Sequence, residues 1–516
     1  MTRGTFVVVV LATAIAWLGA TDRPGGWNDG SRLATVESLV DRHTWEIDDS
    51  IFCTATPYGG DLAPRGTLDK LFINGHYYSD KSPVPALLMA GPYWLWRICG
   101  GPSAAERPDL FCWGMTFLTS GMAYVISVLL IDRIGERSLV GWQRMLVTAS
   151  FALATIALPY SRSVNNHILL LAVATAILFI CDSARPLSAV RVLILGTLAG
   201  LAYTIDLGAG PVIALGTGVY LVWRTFLEPA TWCSAAPTSH SISQPSSPLP
   251  SSSGPLPPCG GGIGWGVEAR EDSTPHPNPP PQGGRGPEGG RMGQRVSHIF
   301  LFIFAALPWL AMHHGMTYAM AGTIGPANAN PEFFKWPGCP FGPENLTGGW
   351  RHSSIFGFIV YAVDMLLGQR GFAAHNPALF LVVPAAITLL RDGQARRAET
   401  SMCLGWTLAV WLLYAATSNN MSGECRSVRW FVPLLAPAYV ILIRALRENS
   451  NAVRAFCWLS AIGAFMEIQA WIRGPWYGRL LPGYWLCLVA SAGIFFWFLR
   501  RQTINESVER VQRAAA

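Results

Sequence analysis

The chain has 516 residues, of which 51% are hydrophobic and only 13% are charged. A soluble globular domain carries about 25% charged residues, so the composition excludes an ordinary soluble protein. The apolar residues are gathered into runs long enough to cross a bilayer, which takes about 20 residues per helix. The formal net charge of +6 does not indicate nucleic-acid binding, because many of the basic residues lie in short loops between these runs.

Twelve apolar runs are predicted to span the membrane, so the fold class is an all-α polytopic membrane protein. The first run is predicted as an uncleaved span, with a cleavable signal peptide as the alternative. The predicted spans are 5–20, 112–131, 145–160, 166–181, 189–204, 207–224, 297–313, 376–391, 402–417, 431–445, 455–471 and 480–499. With the amino terminus inside, thirteen arginines fall on the inner side and five in the short outer loops. This is the positive-inside pattern.

One further apolar stretch, 84–99, is left out of the predicted spans. It is short, begins with prolines and contains Arg97. If it crossed, every later loop would change sides and most arginines would face outward. We therefore predict a helix that lies on the outer membrane surface, with a true span as the alternative.

The predicted spans form two membrane modules, 1–228 and 296–499, followed by a cytoplasmic tail, 500–516. The residues between them, 229–295, are rich in Pro, Gly and Ser, and such a composition cannot bury enough apolar surface to fold. We predict a disordered cytoplasmic insertion without a catalytic role. The second long outer loop, 314–375, mixes aromatic residues with Gly and Pro, which predicts an ordered cap near the membrane.

Eleven cysteines occur without a CxxC pair or a cluster of histidines, so the sequence does not indicate a zinc site. Four of them fall in segments predicted to lie outside, where disulfides persist. We expect at least one disulfide among these four, which are Cys53, Cys99, Cys339 and Cys425.

The first outer loop, 21–82, carries ten of the 31 carboxylates. A short membrane-surface helix is predicted there, capped by Ser31 and ending near His43. Directly after it come three carboxylates, Glu46, Asp48 and Asp49. A solvated acidic surface is one explanation. The alternatives are a general base, because clustered like charges raise a pKa, and a divalent-cation site with oxygen ligands.

A second group of residues runs from Asn74 to Pro83. Gly75 permits a turn, and Pro83 suits the first position of the surface helix. Lys81 would then lie at the depth of the lipid headgroups, where an ammonium group can pair with a phosphate. Ordinary snorkelling of a lysine is the alternative.

These residues resemble a family. Asn74-Gly75-His76 followed by Tyr77-Tyr78-Ser79-Asp80-Lys81-Ser82-Pro83 resembles the "NGHYYSDKPP" element of GT-C membrane glycosyltransferases that use polyprenyl-phosphate sugars, such as protein mannosyltransferases and the aminoarabinose transferases of lipid A. Ser38-Leu39-Val40-Asp41-Arg42 followed by Ile47-Asp48 is similar to the acidic motif of the family's first loop. Gln369-Arg370-Gly371-Phe372 with His375-Asn376-Pro377 looks like "SRGLFxxNP". Arg429-Trp430-Phe431-Val432-Pro433 looks like "RYLxPLLP". The four elements occur in family order.

The chain departs from the family pattern in two places. It has Lys-Ser-Pro where Lys-Pro-Pro is commoner, which keeps the cation and one proline. The second outer loop, 160–167, carries no acid, although several relatives place a second carboxylate there. This puts a bound metal in doubt and leaves Arg162 and His167 as further candidates to contact the donor phosphate.

The resemblance implies transfer of a sugar, a hexose or a pentose, from a polyprenyl phosphate to a hydroxyl of a lipid, glycan or protein. Asp48, with Asp49 as its rival, would be the general base, and Lys81, Arg370 and Arg429 would neutralise the leaving phosphate. Supporting roles fall to Glu46, His76, Tyr78, Asp80, Arg162 and His167. No cofactor is predicted, with a divalent cation left open, and no nucleic-acid partner is expected.

The same resemblance places the site on the periplasmic face of the cytoplasmic membrane. The alternative function is a polytopic transporter or lipid flippase without transferase activity.

Overall fold

The computed structural model describes residues 2–54, 66–183, 187–227, 287–342, 348–391, 397–423, 425–447, 449–476, 478 and 480–515. Within this part the chain is helical apart from one antiparallel hairpin. Six of the described helices are long and apolar enough to cross a membrane, and shorter apolar helices accompany them. The protein is therefore a polytopic membrane protein.

The first module begins with a long apolar helix and then a segment of short elements. These elements are α1 (Arg3–Gly19), α2 (Trp27–Glu37), β1 (Lys70–Ile73), β2 (His76–Ser79) and α3 (Pro83–Ile98). The apolar helices that follow are α4 (Pro108–Thr116), α5 (Met122–Gly135), α6 (Gly141–Leu153), α7 (Ala157–Tyr160), α8 (Asn166–Cys181), α9 (Ala189–Ile205) and α10 (Ala209–Val222). A π-helical turn joins α4 and α5 into one helix.

The second module starts with α11 (Pro287–Ala321). The remaining helices are α12 (Ile355–Leu367), α13 (Phe372–His375), α14 (Val382–Arg391), α15 (Arg397–Thr417), α16 (Leu435–Ala445), α17 (Ser450–Arg473) and α18 (Tyr484–Ala515). Short 3-10 segments precede α14 and α16. Most of the predicted insertion 229–295 lies outside the described residues, and α11 takes in its last residues.

The two modules share one core. On α9, Gly196 and Gly200 lie one helical turn apart and face α11. A Cβ atom on them would come within 2.2 Å of the Phe302 carbonyl oxygen and 2.6 Å of the Ala306 carbonyl oxygen. Small residues let the backbones of membrane helices approach this closely, so any larger side chain at either glycine would push α11 away from α9.

One end of the helix bundle carries most of the polar loops, and we call it the loop face. It is formed by 20–54, 66–82, 160–166, 206–208, 418–423 and 425–430. The Thr21 amide donates to the Arg162 carbonyl at 3.1 Å, and the Tyr160 hydroxyl donates to the Ser427 carbonyl at 2.7 Å. These bonds hold the segment after α1 against loops from both modules.

The helix predicted in the acidic segment is present, but its start was predicted wrongly. α2 begins at Trp27 with Gly26 at the cap position, and this cap lies five residues before the predicted one, Ser31. Ser31 lies inside the helix, and its hydroxyl hydrogen-bonds the Ser79 hydroxyl at 2.6 Å. The helix continues through a π-helical turn and ends at His43, whose left-handed backbone (φ 58°) stops it.

The segment 314–375 contains a helix that the sequence did not predict. α12 is apolar, and Ile355–His375 is long enough to cross a membrane. His352, before α12, contacts the Ala415 carbonyl oxygen at 2.6 Å, and Arg370, after it, donates to the Gly423 carbonyl at 2.8 Å. Both flanks of α12 therefore contact the end of α15 or the loop that follows it.

The four cysteines expected to form a disulfide, Cys53, Cys99, Cys339 and Cys425, are all free thiols. That prediction was wrong. Cys425 is fully buried and contacts the hydroxyl of Ser422 at 2.9 Å, while Cys99 is exposed at the end of α3.

Candidate functional site

The hairpin β1–β2 places Lys81 at the start of α3. Asn74 and Gly75 form its turn with φ of 53° and 94°, a left-handed conformation that these two residues adopt readily. The strands pair from Lys70 with Ser79 to Ile73 with His76. α3 then starts at Pro83, a residue whose fixed φ suits the first helical position.

Lys81, predicted to contact a phosphate, is paired with carboxylates in the structure. Its ammonium group lies 2.8 Å from Asp69 and 2.7 Å from Asp80. The Ser31 hydroxyl of α2 reaches the same group, donating to Asp80 at 3.3 Å. Burial, opposed by the nearby Lys81 charge, raises the pKa of Asp80. The predicted cation therefore belongs to a network in which anionic charge exceeds its own.

Asp29 and Arg32 lie on α2 and are buried, with 1% and 5% of their surface exposed. Asp29 Oδ2 accepts the Gly25 amide at 2.9 Å, whereas Oδ1 is sealed from solvent without a hydrogen bond of ordinary geometry. The Trp476 indole lies beside it. Burial raises the pKa of Asp29 to about 7, although the Gly25 amide and the charges of Arg32 and Arg429 lower it.

Arg429 brings a cation from the second module to this carboxyl. It begins the 3-10 segment before α16, and its guanidinium lies 5.3 Å from the ring centre of Trp476. Its Nε is buried without a hydrogen bond, and its side chain has no hydrogen-bond acceptor among the described residues. Its charge acts on Asp29, Arg32 and His167. A partly buried guanidinium with unused donors is ready to bind an anion.

The predicted base, Asp48, lies in a different group of residues. Its carboxylate accepts the Tyr77 amide at 3.1 Å and lies 3.5 Å from His76 Nδ1. Glu46 is 3.4 Å from the same ring nitrogen and accepts the Tyr78 hydroxyl at 3.4 Å. Asp49 is exposed on the neighbouring turn.

Glu46, Asp48 and His76 could hold a metal ion, since one ligand atom from each lies within 4.8 Å of the others. Their side chains are 39%, 33% and 50% exposed. Carboxylate oxygen and imidazole nitrogen suit several divalent metals. Among the described residues, no hydrogen bond links this group to Asp29, Arg32 or Arg429.

Two other predicted phosphate contacts are engaged elsewhere. Arg162 donates to the carbonyl oxygens of Gly19, Trp471 and Ile472, so it ties α1 to the end of α17. Arg370 donates to the Gly423 carbonyl, and its own carbonyl accepts the Val428 amide at 3.1 Å. It therefore holds the loop that leads into Arg429.

His167 is the second residue of α8 and is buried. Its Nδ1 lies 3.1 Å from the Asp206 carboxylate, and the charges of Arg429 and Arg32 act on its ring. A contact of His167 with the donor phosphate stays a prediction.

Sequence reasoning missed Asp29 and Arg32: Asp29 was one of the ten carboxylates of the first loop, and Arg32 was not singled out. A signal was present, because Asp29 lies two residues before the predicted cap, Ser31, and Arg32 directly after it, so starting the helix one turn earlier puts them at i and i+3 on one face. It also missed Asp69 and Asp206, which carry no local pattern.

No family model and no curated protein matches the chain. Solved structures do resemble it. A crystal structure of ArnT from Cupriavidus metallidurans in the apo state is 11% identical, covers 96% of this chain and 75% of that chain, and has a TM-score of 0.48. The same protein bound to undecaprenyl phosphate gives 12% identity, the same coverage and a TM-score of 0.45.

Archaeal oligosaccharyltransferase AglB from Archaeoglobus fulgidus, in complex with an inhibitory peptide and a dolichol-phosphate, is 12% identical with a TM-score of 0.46. It covers 93% of this chain, and the match spans 56% of AglB.

Proposed function

We propose that this protein is a membrane glycosyltransferase that moves a sugar from a polyprenyl-phosphate donor to an acceptor hydroxyl at the loop face. The observation that carries the proposal is the electrostatic interaction of Asp29 with Arg429. Asp29 is buried, the Nε atom of Arg429 is buried without a hydrogen bond, and the charge of Arg429 lowers the pKa of Asp29. A general base beside an anion-binding cation suits the transfer of a glycosyl group from a phosphate to a hydroxyl.

We assign the general base to Asp29 rather than to Asp48. A base is most effective when its pKa lies near the working pH, and burial brings the pKa of Asp29 to about 7. Its Oδ1 has no hydrogen bond of ordinary geometry, although the Trp476 indole lies beside the carboxyl, so this oxygen is the one that could accept from an incoming hydroxyl. The sequence motif predicts Asp48 as the base instead, and a comparison of Asp29→Asn with Asp48→Asn distinguishes the two assignments.

The proposed reaction is a single displacement. Asp29 Oδ1 accepts the proton of the acceptor hydroxyl, and that oxygen attacks the anomeric carbon. The bond from this carbon to the phosphate oxygen breaks, and its electrons leave with the lipid phosphate. Arg429, together with Arg32, neutralises the departing anion. Such groups act strongly because they are already oriented and shielded from water.

The sidedness of this site follows from the charge pattern. With the loop face outside, the inner loops hold most of the arginines, as the positive-inside rule requires. We therefore propose a periplasmic site in the cytoplasmic membrane and twelve crossings, with α3 and α12 at the outer surface. The buried charged cluster at one end of the bundle does not favour a transporter, in which such groups tend to lie at mid-membrane.

The test is transfer by the purified protein in lipid nanodiscs, with radiolabelled undecaprenyl-phosphate hexoses and pentoses and a membrane-lipid extract as the source of acceptors. We expect transfer by the wild type and loss of transfer in Asp29→Asn. Full transfer by Asp29→Asn would overturn the assignment of the base.

A further inference from the structure

Two carboxylates from the segment after α2 face one imidazole on the hairpin β1–β2. His76 Nδ1 lies 3.4 Å from Glu46 Oε2 and 3.5 Å from Asp48 Oδ2. The ring nitrogen is thus almost equally far from the two oxygens. It lies beyond the ordinary hydrogen-bond distance of about 2.7–3.2 Å from either of them. A hydrogen bond to one carboxylate therefore does not explain where the ring is placed.

The two distances are those expected between neighbouring ligands of a tetrahedral zinc ion. With bonds of about 2.0–2.2 Å to nitrogen and oxygen, two such ligands lie about 3.3–3.5 Å apart. Octahedral ligands of Mg²⁺, at about 2.0–2.1 Å from the ion, would lie only about 2.8–3.0 Å apart, and Ca²⁺ takes oxygen ligands. The imidazole and the spacing therefore favour zinc. All three side chains are partly exposed, so water can reach a fourth position.

The main chain holds the three side chains in this arrangement. Ile47, between the two carboxylates, is fully buried, and its amide donates to the Tyr77 carbonyl at 2.8 Å. The Tyr77 amide in turn donates to the Asp48 carboxylate at 3.1 Å. On the hairpin, His76 follows the turn and pairs with Ile73. The segment with the oxygens and the strand with the nitrogen are therefore fixed side by side.

The carboxylates have outer hydrogen bonds but no basic partner. The Tyr78 hydroxyl donates to Glu46 Oε1 at 3.4 Å, while Oε2 of the same carboxylate faces His76. Carboxylates that bind metal ions are usually held by such outer hydrogen bonds. Within the described part of the chain, no lysine or arginine forms an ion pair with Glu46 or Asp48. Two neighbouring carboxylates repel each other, and a bound divalent ion removes that repulsion.

We propose that Glu46, Asp48 and His76 form a zinc site, with water as the fourth ligand. The ion clamps the segment after α2 to the hairpin, since the first supplies both oxygens and the second supplies the nitrogen. The site lies outside the proposed reaction, because neither Asp29 nor Arg429 belongs to it. Removal of the ion should therefore lower the stability of the protein and leave transfer unchanged.

The test measures Zn²⁺ binding to the purified full-length protein in nanodiscs, after any affinity tag is removed and bound metals are stripped with a chelator. The readout is competition with a chromophoric zinc chelator, and empty nanodiscs are the blank. We expect one Zn²⁺ per chain, bound more tightly than Mg²⁺ or Ca²⁺. Zn²⁺ should also raise the thermal midpoint of unfolding, because an ion that binds only the folded state stabilises it.

Variants identify the ligands. His76→Ala should weaken zinc binding by roughly 100-fold or more, since loss of an outer hydrogen bond alone costs about 10- to 100-fold. Tyr78→Phe, which removes only the bond to Glu46, should weaken it about tenfold. Without metal, His76→Ala should unfold at the wild-type midpoint, because the side chain is half exposed. Asp49→Asn and His43→Asn are the matched controls and should bind as the wild type does, because both residues are exposed on the same segment.

The inference is overturned if the wild type binds no more Zn²⁺ than empty nanodiscs, or if Mg²⁺ at equal concentration displaces the zinc. It is equally overturned if His76→Ala binds as tightly as the wild type, or if either control loses as much affinity as His76→Ala. If His76→Ala is unstable without metal, Glu46→Gln, which keeps the size of the side chain, takes its place with the same expected loss. Zinc binding is measured without transfer, so its failure is distinct from failure of the proposed function.

Discussion

Arg429 and Asp29 come from opposite halves of the chain and meet in the buried part of the loop face, where each has a polar atom without a hydrogen bond. The arginine charge lowers the pKa of the carboxyl, while burial raises it further than the charge lowers it. Neither group is neutralised by a direct ion pair with the other among the contacts of the structure. Both therefore remain ready for a ligand that carries a hydroxyl and an anion.

Replacement of Asp29 by Asn keeps the size of the side chain and removes its basicity. We expect transfer to fall by roughly 10²–10⁴, the usual contribution of a positioned base, with normal protein levels. Asp48→Asn and Asp49→Asn are the matched controls and should transfer within a few-fold of the wild type. An inactive Asp48→Asn beside an active Asp29→Asn would favour the base assignment from the sequence motif.

The rate of transfer should depend on pH through Asp29. The base works only when deprotonated, and burial raises its pKa to about 7. Below that pH the deprotonated fraction falls tenfold per unit, so kcat/KM should rise with slope one on the acid side and level off above about pH 7. A steady-state profile without this acid limb would contradict the assignment.

Replacement of Arg429 by Gln should weaken the use of the donor. A hydrogen bond to a charged group contributes about 1.5–3 kcal/mol, so kcat/KM for the donor should fall roughly 10- to 150-fold. Arg162→Gln is the control, because Arg162 donates to backbone carbonyls of α1 and α17. It should lower the thermal midpoint and leave the donor KM unchanged. If Arg162→Gln instead weakened donor use and Arg429→Gln only lowered the thermal midpoint, Arg162 would be the phosphate contact and Arg429 the structural residue.

Removal of divalent cations should leave transfer unchanged, because Arg429 and Arg32 supply the positive charge. The measurement is transfer after dialysis against EDTA, with and without added Mg²⁺, Mn²⁺ or Zn²⁺. His76→Ala removes one ligand of the Glu46–Asp48–His76 group and should also be active. Loss of activity on chelation, reproduced by His76→Ala, would move the chemistry to that group.

Reporter fusions test the sidedness of the loops. Fusions after Arg137 and within 240–286 should report the cytoplasm, and fusions at Gly342 and Ser422 should report the outside. The pair at Gly342 and Ser422 is informative because α12 lies between them, and a crossing by α12 would change the relative sides. An outward signal from 240–286 would indicate that α3 crosses the membrane.

The sequence alone determined the class of the protein and the places of its apolar helices. Long apolar runs and arginine asymmetry are local properties, and the bilayer requires a helix wherever such a run crosses it. Three local features also follow from the backbone preferences of single residues. They are the turn at Asn74 and Gly75, the proline start of α3 and the end of the α2 helix near His43. The start of α2 does not follow in this way, because Gly26 at its cap gives no side-chain signal.

Only the tertiary structure decided which charges meet. Asp48 belongs to the most conspicuous acidic cluster of the sequence, yet it is partly exposed and its carboxylate is hydrogen-bonded to the hairpin. Asp29 has no such pattern but is buried by packing against Trp476 and the Arg429 segment, and burial is what shifts its pKa. The contact between His167 and Asp206 likewise depends on how α8 and α9 end at the loop face. Such pairings arise from helix packing over long sequence separations, which no local pattern of residues encodes.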